Sequence, residues 1–80
     1  MKYTDPENQR YVYCIRETLN GFGIQVLNVA RDERYPLTPS LAGQCGLQLP
    51  DGFLCHCCTR ENAEAELERL AQLNGLLPIE

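Results

Sequence analysis

Residues 11–29 read YVYCIRETLNGFGIQVLNV. Both ends of this stretch are rich in β-branched and aromatic residues, which strands favour. Asn20-Gly21 lies between them and is a strong signal for a two-residue hairpin turn. We therefore predict a β-hairpin over residues 10–30. With its turn at Asn20-Gly21, this hairpin places Ile15 opposite Val26.

The predicted hairpin has two faces, because successive side chains of a strand point to opposite sides. One face carries Tyr11, Tyr13, Ile15, Ile24 and Val26, and the other carries Val12, Cys14, Leu27 and Val29 with Arg16 and Gln25. Both faces hold apolar side chains, so we expect one to cover the core and the other to meet a second subunit or a partner. Tyr11 and Tyr13 are the expected anchors for such a partner, since tyrosine is enriched at interface hot spots.

Residues 59–75 predict the C-terminal helix. Thr59 is a preferred N-cap residue, and Gly75 suits the left-handed position that follows a helix. Leu67 and Leu70 repeat at helical spacing, so we expect them to face the core. Removing either side chain should therefore destabilise the fold.

The opposite side of this helix is acidic. Glu61, Glu64 and Glu68 share one face, and Glu66 extends that face at its edge. Most acidic faces of this kind are simply solvated. A negative stripe also suits a partner with a basic surface, and we expect a heterologous protein to bind there.

The remaining segments complete an α+β fold. Residues 1–9 predict a loose lead-in, and residues 31–44 predict an irregular loop because their prolines bar a central strand. Within that loop, Thr38-Pro39 predicts the start of a short helical turn. Residues 45–58 predict a second hairpin, with Asp51-Gly52 as its turn. The expected architecture is a small antiparallel sheet of about four short strands, in two hairpins, packed against one C-terminal helix.

Sulfur is concentrated in residues 53–58, which read FLCHCC. Cys55 and Cys58 have the spacing of half a zinc site, since two thiolates three positions apart can share one tetrahedral ion. Cys45 or Cys14 would have to supply the missing ligands, because the sequence holds no second paired half-site. We therefore expect Cys55 and Cys57 to be small buried residues and no metal or other cofactor to be bound. The alternatives are a zinc-binding structural module and, because the cluster precedes a helix N-terminus, a thiol redox protein.

Composition narrows the class of protein. The 80 residues suit a single domain, with 44% hydrophobic residues and a formal charge of −4. That charge disfavours nucleic acid, which needs a basic face. No run reaches the ~18 apolar residues of a membrane span, and the N-terminus lacks the apolar core of a signal peptide. The odd, clustered set of five cysteines favours reduced thiols, so we expect a cytoplasmic protein that binds neither nucleic acid nor membrane.

These observations predict a small acidic protein that binds another protein and is not an enzyme. His56 adjoins Cys55 and Cys57, but neighbours on a strand face opposite ways and cannot share a proton. A homodimer is also expected, because a sheet with two apolar faces and one helix leaves a face uncovered. In general character the chain is comparable to phage and mobile-element proteins that inhibit host enzymes or defence systems, anti-CRISPR proteins among them. No family motif carries that comparison.

Overall fold

Six antiparallel strands and two helices form the fold in the computed structural model of the protein, which describes residues 1–79. In chain order the elements are β1 (Lys2–Asp5), β2 (Asn8–Thr18), β3 (Gly21–Asn28), β4 (Glu33–Pro36), α1 (Pro39–Cys45), β5 (His56–Cys57), α2 (Arg60–Asn74) and β6 (Leu77–Ile79). The strand order is β4-β3-β2-β1-β6, and β5 pairs with β3 on the same edge as β4. The predicted α+β class, with an antiparallel sheet and a C-terminal helix packed on it, is confirmed.

The predicted hairpin is present as β2 and β3, but its register differs from the predicted one by two residues. Leu19-Asn20 forms the turn, and Ile15 lies opposite Ile24. Gly21 belongs to β3, where the chain passes close to β5: a Cβ on Gly21 would collide with the carbonyl oxygen of Cys57. A shift of two residues leaves every side chain on its predicted face, because the side-chain period of a strand is 2.

Residues 1–9 are not the loose lead-in that the sequence predicts. Lys2–Asp5 forms β1, which pairs with β2 on one side and with β6 on the other. Pro6-Glu7 forms the turn into β2, and the Glu7 N–H donates to Asp5 Oδ1 at 2.9 Å. Asp favours turns through such contacts, and Pro favours them because its ring restricts φ. The polarity of the segment obscured this turn signal.

The 31–44 segment contains regular structure, contrary to the prediction of an irregular loop. Glu33–Pro36 forms β4, an exposed strand at the edge of the sheet. Pro36 is tolerated there because an edge strand needs fewer backbone donors than a central one. The predicted helical turn is confirmed as α1, in which the Leu41 N–H donates to Thr38 Oγ1 at 3.2 Å.

The predicted second hairpin over residues 45–58 does not form. The turn at Asp51-Gly52 exists, but a helix side chain replaces the partner strand before it. Asn74 of α2 binds both the N–H and the carbonyl oxygen of Gln48, each at 2.8 Å. Backbone polar groups need partners, and α2 supplies them here without a strand.

The sulfur-rich end of this segment pairs with β3 instead. His56–Cys57 forms β5 opposite Phe22 and Gly23, on the part of the β3 edge that β4 leaves free. Just before β5, the Leu54 N–H donates to Glu66 Oε2 of α2 at 3.1 Å. The open edge of β3 and the side chains of α2 therefore determine the path of this segment.

Helix α2 begins and ends as predicted. The Asn62 N–H donates to Thr59 Oγ1 at 3.1 Å, and Gly75 adopts a left-handed φ of 66°. Leu67 and Leu70 are fully buried and pack with residues of α1, β2 and β3 on one face of the sheet. Neither helix in the described part of the chain is long and apolar enough to cross a membrane.

Candidate functional site

The sheet has an inner face and an outer face, which are defined by cross-strand pairing. Paired residues of neighbouring antiparallel strands point to the same side. The inner face packs against both helices and includes the row Tyr3, Tyr13, Val26 and Tyr35. The outer face includes two rows across the sheet, namely Leu77, Thr4, Val12, Leu27 and Arg34, and Ile79, Lys2, Cys14, Gln25 and Pro36.

Aliphatic side chains form the centre of the outer face. Val12 and Leu27 are direct cross-strand partners and are half-buried, although both helices pack on the other side of the sheet. Leu77 and Val29 are each 53% exposed. A patch of exposed apolar side chains is a common mark of an interaction site.

Basic residues surround this aliphatic centre. Lys2 and Arg34 lie in the two outer rows, and Arg16 follows on the same face of β2. Arg10 shares the face, because the Val29 N–H donates to the Arg10 carbonyl oxygen at 2.9 Å and continues the register of β2 and β3. These four residues, the basic rim, are four of the seven Lys and Arg residues in the chain. Asp32 Oδ1 lies 3.7 Å from Arg34 Nη1 and offsets that charge, but Lys2, Arg10 and Arg16 leave the outer face positive although the protein carries a formal charge of −4.

The predicted acidic stripe lies on the other side of the molecule. Glu61 and Glu68 are exposed and Glu64 is half-buried, whereas Ala63 and Leu67 of the same helix face the core. The sheet thus presents positive charge on one side of the protein, and α2 presents negative charge on the other. The two sides of the protein therefore differ in local electrostatic potential.

Glu66 does not extend this stripe, contrary to the prediction. Its side chain is 9% exposed and accepts hydrogen bonds from the Leu54 N–H and from Arg69 Nη1, the latter at 2.6 Å. Arg69 also donates to the carbonyl oxygen of Asp51 at 2.6 Å. The Glu66 carboxylate therefore joins α2 to the loop before β5.

The structure removes Tyr13 from the predicted partner-binding surface. Tyr13 is 1% exposed and belongs to the core on the inner face. Burial, assisted by the neighbouring Cys45, raises the pKa of the Tyr13 hydroxyl well above its ordinary value. Tyr11 is half-buried and packs against the same core. Both tyrosines point inward because they alternate with the outward residues of β2.

The five cysteines are free thiols placed on different sides of the sheet. Cys14 lies on the outer face, whereas Cys45 is buried in the core, so the sheet separates them. Cys55 and Cys58 are exposed, so the expected burial of Cys55 is wrong. Cys57 is buried, and burial raises the pKa of its thiol.

These positions do not bring the alternative zinc ligands together. Cys55 and Cys58 would need Cys45 or Cys14 beside them, and a site made of all four thiolates is excluded because the sheet separates Cys14 from Cys45. Within residues 1–79, no three His, Cys, Asp or Glu side chains are grouped so that they could hold a metal ion. His56 is exposed and its neighbour Cys57 is buried, so they point to opposite sides of β5, as the sequence predicts.

Sequence reasoning missed the basic rim as a unit. Within β2 the signal is present, because Arg10, Val12 and Arg16 are separated by even numbers of residues and must share a face. Lys2 and Arg34 join that face only through β1 and β4, two strands that the sequence analysis does not predict. The basic rim therefore depends on the order of the strands in the sheet as well as on the alternation of side chains within β2.

The chain matches no family model, no curated protein and no solved structure. Fold and surface define a class: an α+β protein with one sheet face under two helices and one face open. The open face has an aliphatic centre and a basic rim.

Proposed function

We propose that the protein acts by binding another protein through the outer face of its sheet, without catalysing a reaction. The observation that carries this proposal is the composition of that face, an aliphatic centre inside the basic rim. Specific interfaces commonly have a desolvated apolar centre and a polar periphery. The charge of the rim selects a partner whose surface carries acidic side chains around an apolar patch.

A protein partner suits the outer face better than a nucleic acid does. Single-stranded nucleic acids bind to sheets largely through aromatic side chains on which the bases stack. Tyr3, Tyr13 and Tyr35 all point to the inner face, and aliphatic or polar residues occupy the outer rows. The outer face therefore offers charge and apolar area, which a protein surface can complement.

A heterologous partner also suits this face better than a second copy of the chain. In a two-fold dimer the same patch meets itself, so the basic rim would face its own positive charge. Pairing through the sheet edges is disfavoured as well, because Pro36 in β4 and Pro78 in β6 interrupt the outermost strands. A homodimer remains the second proposal, and light scattering on the purified protein measures it directly.

Inhibition is the role that we propose for such binding. A small protein that covers an acidic and apolar surface of an enzyme blocks that enzyme without chemistry of its own. The target would be a host enzyme or a defence system, by the comparison in character with phage and anti-CRISPR proteins. The cytoplasm is the proposed location, because five free thiols persist best in a reducing compartment.

Charge reversal on opposite sides of the molecule tests the binding surface. The outer-face variant combines Lys2→Glu, Arg16→Glu and Arg34→Glu, and its matched control combines Glu61→Lys, Glu64→Lys and Glu68→Lys on α2. Tagged wild-type protein and both variants capture partners from an extract of the native host, and mass spectrometry quantifies the captured proteins. We expect the outer-face variant to lose the partner that the wild type captures and the α2 variant to keep it.

The opposite result would move the site to the acidic stripe, the surface expected from the sequence. Thermal unfolding of each variant distinguishes a lost surface from a lost fold. Raising the salt concentration should weaken capture by the wild type, because exposed charges are screened beyond ~10 Å at 0.1 M salt.

Two simpler measurements separate the alternative functions. Stoichiometric zinc in protein purified without added metal would replace the binding proposal with a structural zinc module. Titration of free thiols before and after mild oxidation tests the redox alternative, which requires reversible loss of the Cys55 and Cys58 thiols together.

A further inference from the structure

A cleft of about 750 Å³ lies between α1 and the ends of β2, β3 and β4. It opens at one end of the sheet beside the inner face, and its lining also includes Arg10 of the basic rim, so the cleft borders the outer face. Its size falls within the range of roughly 300–1,000 Å³ that is typical of small-molecule sites. The lining includes Tyr11, Asn28, Arg31, Glu33, Tyr35 and Leu41.

The walls of the cleft suit an apolar or aromatic group. Tyr11 and Leu41 are half-buried there, and Tyr35 is 44% exposed at the edge strand. Helix α2 covers a different part of the inner face, so these side chains lie beside open space rather than under a helix. Aromatic walls of this kind favour a ring or a branched aliphatic chain.

Arg31 places a cation at the mouth of the cleft, and most of its side chain is exposed. The Tyr35 hydroxyl donates to Glu33 Oε1 at 2.8 Å, and Arg31 Nη1 lies 3.9 Å from the same oxygen. Arg31 nevertheless keeps a side chain that is 74% exposed. A guanidinium has five N–H donors and binds a carboxylate through two of them at once.

Asn28 adds an unsatisfied acceptor to the lining. It lies between Tyr11 and Glu33 in one cross-strand row. Its Oδ1 is buried and has no hydrogen-bond partner within residues 1–79. Buried acceptors without a partner are rare in folded proteins. Asn28 as a residue is half-buried and lines the cleft, so a rotation of its side chain would bring the amide oxygen to a ligand N–H group.

We propose that this cleft binds an N-acylated apolar or aromatic amino acid through its side chain, its amide N–H and its carboxylate. The side chain lies between Tyr11 and Leu41, the N–H donates to Asn28, and the carboxylate accepts from Arg31. The same chemistry occurs in a free N-acyl amino acid and in the C-terminal residue of a peptide.

A matched pair of ligands tests the proposal. N-acetylphenylalanine and its neutral primary amide differ only in the carboxylate, and each is titrated into ¹⁵N-labelled protein while the backbone amide shifts are followed. We expect shifts centred on Asn28 and Leu41, and an affinity about tenfold higher for the acid, as a charge-assisted contact provides. The Arg31→Gln variant should remove that difference, whereas Arg16→Gln, on the outer face, should keep it.

Three results would overturn the proposal: equal affinity of acid and amide, shifts that map away from the cleft, or no binding at millimolar concentration. A second pair identifies the source of the ligand. If acetyl-Gly-Gly-Phe binds more tightly than N-acetylphenylalanine, and C-terminal amidation abolishes the gain, the site takes peptide C-termini. Tighter binding of the free N-acetyl amino acid identifies a small-molecule site.

Discussion

The inner and outer faces of the sheet are built from the same strands but differ in composition and in what covers them. In β2, Tyr13 is buried in the core, while its neighbours Val12 and Cys14 lie on the open face. The inner face collects the tyrosines and the contacts to α1 and α2. The outer face collects aliphatic residues and the basic rim. Neighbouring residues of one strand therefore differ in role, because one packs in the core and the next lies on the open surface.

The difference also shows why net charge is a poor guide to what each face of the protein can bind. The chain has a formal charge of −4, yet the acidic residues of α2 and the basic rim lie on opposite sides of the protein. A partner meets one side only and experiences its local charge, because exposed charges beyond a Debye length are screened.

The largest expected effect distinguishes the two faces by stability. Leu67→Ala removes a fully buried side chain from the inner face and should lower the free energy of unfolding by ~2–5 kcal/mol. Leu27→Ala, on the outer face, should cost about 1 kcal/mol or less. Urea denaturation measures both, and similar losses in the two variants would contradict the assignment of the faces.

The next effect sharpens the same comparison within α2. Glu66→Ala leaves the Leu54 N–H and Arg69 without their shared acceptor, at a cost of about 1–3 kcal/mol. Glu64→Ala is the matched control, since Glu64 lies on the acidic stripe, and it should change stability by about 0.5 kcal/mol or less. If both variants unfold at the same urea concentration, the Glu66 contacts do not stabilise the loop before β5.

Alkaline pH should lower the stability of the folded protein through buried thiols on the inner side of the sheet. Burial raises the pKa of the Cys45 and Cys57 thiols above their ordinary value of 9.0. The unfolded chain therefore loses these protons first, so the stability they contribute is present below pH 9.0 and falls as the pH rises above it. We expect a lower urea midpoint at alkaline pH than at neutral pH, under reducing conditions, and a smaller decrease in Cys45→Ala. A midpoint that rises with pH would contradict this linkage.

The smallest effect concerns reaction rates and leaves stability unchanged. Cys55 and Cys58 are exposed, whereas Cys45 and Cys57 are buried. A thiol reagent added to the native protein should label the exposed pair first and the buried pair only after local opening. Mass spectrometry of the labelled peptides assigns the order. Early labelling of Cys57 would place β5 away from the core.

Several elements were predictable because their signals are local. The Thr59 cap, the helical spacing of Leu67 and Leu70, and Gly75 together defined α2. The alternation in β2 and β3 assigned side chains to faces even though the predicted turn was wrong, because a register shift of two preserves the faces.

The elements that the sequence analysis missed depend on partners distant in the chain. Lys2–Asp5 is a strand because β2 and β6 flank it. His56–Cys57 pairs with β3 rather than with the preceding segment, because β4 leaves part of the β3 edge open and Glu66 holds Leu54. No local pattern in either segment contains that information.

The candidate site shows the same division. Val12, Cys14, Leu27, Val29 and Arg16 could be assigned to one face from the sequence. Lys2 and Arg34 could not, because their strands were not predicted. The cleft beside α1 could not be predicted from the sequence either, because it forms only where α1 and the edge strand β4 pack beside each other.

Local sequence patterns were enough to predict which side chains share a face and where the long helix begins and ends. Those properties follow from backbone periods and from capping groups only a few residues apart. Long-range packing was needed to establish which face the helices cover, that Glu66 is buried while Glu64 and Glu68 are not, and that basic residues from β1, β2 and β4 share one face. These outcomes depend on free strand edges and on apolar surfaces contributed by residues far apart in the chain. Because hydrophobic burial is non-directional, a local pattern does not specify which of these surfaces pack together. Local sequence therefore restricts the choices, and long-range packing selects among them.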